Sequence, residues 1–261
     1  MTADPRFTTL FWTVWRRNLR VYRRIWAVNF LPPILEPLFY IVAFGLGFSG
    51  LVGDVSWRGQ SMTYTQFFAP AMIAVSIMWQ AFMETTYSSF VRMFYQKTYD
   101  ALLATPLSLE EIIVAEIVWG ATRSCIAAVL MLAMVALLGY APSPQALLVL
   151  PIAVLGGMAF GAMGMATTSI TPSIDMFNIP FFLVITPMFL FSGTFFPVDA
   201  LPPYAAHIAA AMPLYHLAEL CRAACLGRLN AASLGHAAVL LGFFAAFLPL
   251  ALAGMRRRLV R

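Results

Sequence analysis

The feature that most restricts what this chain can fold into is a series of apolar stretches, about 20 residues long, with almost no formal charge. Hydrocarbon supplies no water to backbone amides and carbonyls. A stretch of that length therefore crosses a membrane as a helix, which closes its own hydrogen bonds. A soluble domain spreads charge over its whole surface, at about 25% of residues. Here 10% are charged and 61% hydrophobic, which argues against a large water-soluble helical core. The expected fold is all-α and polytopic, with six membrane-spanning helices at 28–48, 67–90, 112–138, 146–170, 177–191 and 236–254.

The charges gather at the ends of these stretches. Segment 5–26 places Phe7, Leu10, Phe11, Val14, Leu19, Tyr22 and Trp26 on one side and Arg16, Arg17, Arg20, Arg23 and Arg24 on the other. That pattern predicts an amphipathic helix at the membrane interface, its cations reaching anionic lipid headgroups. Of 16 Lys plus Arg, 12 lie in this lead, in the Arg92–Lys97 connection or in the C-terminal tail. Positive charge beside helix ends stays cytoplasmic, so both termini are expected inside. The same placement argues against nucleic acid as the partner of the net charge of +5.

Several residues interrupt the apolar runs. Pro32, Pro33 and Pro37 flank Glu36 in the first span, and Pro180 and Pro187 break the fifth. Glu36, Glu84, Glu116 and Arg123 fall inside predicted spans, where charge must face an interior seam, reach an interface or find a partner. Gly156, Gly157, Gly161 and Gly164 allow close helix contacts. Ser108, with Glu111 three residues on, forms a capping-box spacing at the start of the third span. Residues 53–59 read as part of a short polar loop. Segment 192–235 is long enough for two short helices but too interrupted for one, which suggests a re-entrant or interfacial structure.

Catalytic and cofactor motifs are not evident. There is no Gly-rich phosphate loop ending in Lys-Ser/Thr, no HExxH and no convincing nucleophile elbow. Cys125, Cys221 and Cys225 lack zinc spacing and fit apolar packing, and His207, His216 and His236 read as local structure. No catalytic, cofactor or metal residue is assigned.

The order of elements resembles the permease subunits of type-2 ABC exporters over nearly the whole chain. FWTVWRRNLRVYRR and YDALLATPLSLEEI are similar to the nodulation-factor and drug-resistance exporter branch, as are FLFSGTFFPVDALP and MPLYHLAELCR. The resemblance implies a single transmembrane domain, 1–261, acting as a homodimer with two cytoplasmic ABC ATPase subunits that bind the ATP and Mg. It implies that 5–26 is a connector helix and that 92–108 is the coupling connection, where Lys97, Tyr99, Asp100, Thr105 and Pro106 contact the ATPase. Residues 192–235 would be the extracellular re-entrant region, with Gly193, Phe195, Phe196, Pro197 and Pro202 at a possible exit gate. The implied activity is export of an amphiphile, a lipo-oligosaccharide or glycolipid, across the bacterial inner membrane. A hydrophobic-drug exporter, a non-transporting scaffold and a proton-coupled carrier are the alternatives.

Overall fold

The computed structural model describes residues 9–26, 35, 38–47, 53–198 and 202–259. In chain order it runs α1 (Phe11–Arg24), β1 (Asp54–Trp57), β2 (Gln60–Thr63), α2 (Tyr64–Tyr95), α3 (Thr98–Leu103), α4 (Leu109–Leu137), α5 (Pro144–Ile170), α6 (Ile174–Phe191), α7 (Pro203–Ala210), α8 (Pro213–Cys225) and α9 (Ala231–Leu259). Among the described residues, α2, α4, α5, α6 and α9 are the five helices long and apolar enough to cross a membrane. The chain is an all-α polytopic membrane protein, with one hairpin among the described residues. Much of the expected first span, with Pro32, Pro33, Glu36 and Pro37, lies outside the described residues; 38–47 is helical, with a π-wound stretch at Ile41–Leu46.

The helices extend past the apolar windows because polar residues cap them. Thr63 Oγ1 accepts from the Gln66 amide at 3.4 Å while Gln66 Oε1 accepts from the Thr63 amide at 3.2 Å, so α2 starts at Tyr64. The expected box at Ser108 is formed in the same way: its Oγ accepts from the Glu111 amide at 3.2 Å, and Glu111 Oε2 accepts from the Ser108 amide at 2.9 Å. Residues 53–59, expected as a polar loop, instead include a strand. β1 and β2 pair antiparallel with Trp57 opposite Gln60, and Arg58 and Gly59 turn the chain with φ of 49° and 73°. Two consecutive positive φ values are what a tight two-residue hairpin loop requires.

Packing is closest along α5. A Cβ on Gly157 would lie 2.7 Å from Ala121 Cα on α4, and one on Gly164 would lie 2.2 Å from Thr85 Oγ1 on α2. These glycines let three helices approach to backbone contact. Interhelical hydrogen bonds reinforce the approach, from Thr168 Oγ1 to the Thr85 carbonyl at 2.8 Å and from Ser124 Oγ to the Ile77 carbonyl at 2.9 Å. One apolar cluster lies toward the hairpin. A second, with Val14, Tyr99, Ile112 and Met255, gathers at the end where α1, α3 and the close of α9 meet. By contrast α6 and α9 bury only 17% of their apolar windows, leaving faces such as Phe182 and Leu183 open to lipid.

Candidate functional site

At the α1 end of the molecule the buried polar residues join into one network. The last third of α2 is π-wound, at Glu84–Ser88 and Val91–Tyr95. π-Turns inside helices occur frequently at functional sites. Arg92, on this stretch, reaches Glu84 Oε1 at 2.7 Å and forms a close ion pair with Glu116 of α4. Arg123, two turns along α4, donates to Glu84 Oε2 at 2.6 Å, and Trp119 Nε1 donates to Glu84 Oε1 at 3.1 Å. Two carboxylates and two guanidiniums therefore neutralise one another. Such pairing is the condition under which charge is tolerated away from water.

Glu116 is the centre of this network. It lies near the start of α4 and is fully buried. It accepts from Asn18 Nδ2 at 3.2 Å and from Ser89 Oγ at 3.1 Å, besides its pair with Arg92. Asn18 belongs to α1, so the amphipathic helix is a structural partner of α4 as well as a surface element. Val14 and Asn18 are buried, and Trp15 bonds Thr122 Oγ1 at 2.9 Å, whereas Leu10 and Trp26 are exposed. Arg16, Arg20, Arg23 and Arg24 point outward, but Arg17 turns in and is only partly exposed. Burial holds its guanidinium below the ordinary arginine range, against the pull of nearby Glu116.

The same network reaches α3. Tyr99 is fully buried, and its hydroxyl lies 3.0 Å from Ser89 Oγ. Ser89 spends its own proton on Glu116, so the phenol donates to Ser89. Burial, with Glu116 close by, holds the Tyr99 phenol well above its ordinary range, keeping that proton in place. The other expected contact residues face outward: Lys97 and Asp100 make an exposed pair at 3.9 Å, and Thr105 and Pro106 are exposed in the turn after α3. Lys97 itself has a φ of 53°, a left-handed geometry that sets the corner between α2 and α3.

At the opposite end α7 and α8 supply two short helices between α6 and α9. Arg222 is almost wholly buried. It donates to the Phe67 carbonyl at 3.0 Å and the Gly193 carbonyl at 2.9 Å, and pairs closely with Glu219. Trp57 Nε1 and Arg58 also bond Glu219, at 3.0 Å and 3.2 Å, which ties the β-hairpin to α8. Gly193 has a φ of 68°, and Phe195 packs on Phe44, Phe68 and Phe189. Phe196 is partly exposed, Pro197 lines a cleft beside Trp57, and Pro202 precedes α7. His216 and His236, expected to act locally, share a 2.8 Å Nδ1–Nδ1 contact between α8 and α9. Among the described residues no group of three His, Cys, Asp or Glu could hold a metal, and Cys221 and Cys225 are buried free thiols.

Sequence reasoning named Glu84, Glu116, Arg123 and Tyr99 but not what joins them, and it missed Asn18, Ser89, Trp119 and Arg222. For Arg222 the available signal was its place with Glu219 one turn earlier on a segment otherwise rich in Leu, Ala and Cys.

Comparison with known proteins bears on this arrangement. The model of the ABC-2 type transporter family matches residues 9–226, which include α1, both polar networks and all but the last span. Nodulation protein J of Rhizobium leguminosarum bv. viciae is 38% identical over 95% of this chain and 94% of its own length. Nodulation protein J of Rhizobium meliloti (strain 1021) is 34% identical over 82% of this chain and 80% of its own. More distant is the inner membrane transport permease YadH of Escherichia coli (strain K12), 23% identical over 80% and 81%.

Proposed function

This chain belongs to the ABC-2 type transporter family as a permease subunit, and we propose that two copies form the membrane pathway of an ATP-driven exporter of an amphiphile. A lipo-oligosaccharide or glycolipid is the favoured cargo, on the strength of the near full-length likeness to Nodulation protein J. ATP and Mg would be bound by two separate ATPase subunits on the cytoplasmic side. In this reading 28–48 supplies a sixth span, both termini are cytoplasmic, and 192–235 forms the external re-entrant region.

The observation that carries the reading is the path Tyr99–Ser89–Glu116–Asn18, with Arg92 bridging to Glu84. It ties α3, the expected ATPase contact, to α1 and to two spans through buried hydrogen bonds. A push on α3 cannot be absorbed by bending a loop. It must move the ends of α2 and α4 or break charge-assisted bonds. Lys97, Asp100, Thr105 and Pro106 form the exposed surface that would receive the push, while Glu84, Glu116 and Arg123 serve assembly and transmission. Gly193, Phe195, Phe196, Pro197 and Pro202 frame the external exit in the same reading. The Gly193 carbonyl is fixed to Arg222, which would make any movement there a movement of α8 as well.

Co-purification of the tagged chain from membranes, with mass spectrometry of proteins and retained amphiphiles, tests the assignment. A stoichiometric ATP-binding subunit is expected. A stable assembly without one would shift the balance to a scaffold or an ATP-independent carrier. Tyr99→Phe removes a single buried hydroxyl. It should leave ATPase recovery intact while lowering cargo-stimulated ATP hydrolysis by about fivefold, the equivalent of one neutral hydrogen bond of about 1 kcal/mol.

A further inference from the structure

The polar network has an open side. A cleft of about 320 Å³ lies between α1, the π-wound end of α2, and α4. Its polar lining includes Arg17, Arg92 and Arg123, and its apolar lining includes Val21, Ile25 and Val91. Arg92 and Arg123 are balanced by Glu84 and Glu116, which leaves Arg17 as a local excess of positive charge. Among the described residues Arg17 makes no ion pair; its Nη atoms reach only Asn18 Oδ1 at 3.0 Å and Thr98 Oγ1 at 3.4 Å. A half-buried guanidinium that makes no ion pair, on a cleft with one net positive charge, suits an anion with several acceptor oxygens. The rim adds a second requirement, since Val21 and Ile25 are about half exposed and carry no polar atom in their side chains.

We propose that this cleft binds the phosphate headgroup of an anionic amphiphile from the adjoining leaflet, with Arg17 taking the oxygens and Val21 and Ile25 covering the start of the acyl chains. A phosphodiester offers the oxygens that planar guanidinium forks recognise, and an interfacial helix brings such groups to the right depth. The inference goes beyond transport. It concerns the permease alone, so its test can fail while the exporter assignment stands.

The experiment titrates the detergent-purified full chain with short-chain phosphatidylglycerol and reads the rise in melting temperature. Phosphatidylcholine and free glycerol 3-phosphate are run alongside. Phosphatidylglycerol should stabilise the wild type at concentrations where neither comparator does. Arg17→Gln should raise the half-saturating concentration by about tenfold, as expected for losing one charge-assisted contact. Val21→Trp, which blocks the rim and keeps every charge, should do the same. The melting temperature of each variant without lipid checks its folding. If Arg17→Gln does not fold, Arg17→Lys keeps the charge without the fork and should show a smaller loss. Equal weakening by Arg20→Gln on the exposed face would assign the lipid to the outside of α1 and overturn the proposal. So would glycerol 3-phosphate binding as tightly as the lipid, or unchanged lipid binding in both Arg17→Gln and Val21→Trp.

Discussion

Glu84 accepts hydrogen bonds from Arg92, Arg123 and Trp119 and is buried at 2% exposure. Replacing it with Gln would keep the shape and leave two guanidiniums facing a neutral amide. Removing one member of a buried ion pair costs about 3–5 kcal/mol, because the surviving charge has neither water nor partner. Glu84→Gln should therefore lower the melting temperature of the detergent-purified chain markedly. Adding Arg123→Gln should restore part of the loss, since one orphaned charge is then removed. A double variant no more stable than the single would show that Arg123 does not depend on Glu84. The charges themselves were visible in the sequence, because any Glu or Arg inside an apolar run stands out. Their pairing was not visible. It depends on the rotation of α2 against α4, and the π-turns between Glu84 and Arg92 spoil any estimate from an ideal helical wheel.

For the helices, contact is set by what is missing from the side chains. Gly157 meets Ala121 Cα at a distance no Cβ could occupy, whereas a Cβ on Gly242 of α9 would find nothing within 4 Å. Gly157→Leu should force α5 away from α4 and destabilise by about 1–3 kcal/mol or more, as overpacking does. Gly242→Leu should melt with the wild type. Equal melting of the two variants would remove the close-packing account of α5. Five of the expected span positions were legible because hydrocarbon imposes one length on every crossing, and the Ser108 cap because its bond is local in sequence. The hairpin was legible in principle, from Arg58-Gly59 between alternating residues, but its polar character reads equally well as a loop. The inward turn of Arg17 was not legible. An amphipathic pattern sorts residues into two sides without saying which other helix will cover the boundary between them.

For the molecule as a whole, the arrangement predicts sidedness that chemistry can read. With Cys125, Cys221 and Cys225 changed to Ala, a cysteine at exposed Ala104 should react with an impermeant maleimide only in inside-out vesicles. One at Tyr204, 72% exposed between α6 and α8, should react only in intact cells. Labelling of both from one face would refute the six-span topology and the placement of both termini inside. The polar network has a further consequence for grafting. Its members come from α1, α2, α3 and α4, so a recombinant that exchanges residues 92–108 alone would take away Arg92 and Tyr99 and strand Glu116. Exchanging 11–24 alone would remove Asn18 from the same carboxylate. A hybrid permease built to accept a foreign ATPase therefore has to inherit 11–24 and 84–123 from the same parent.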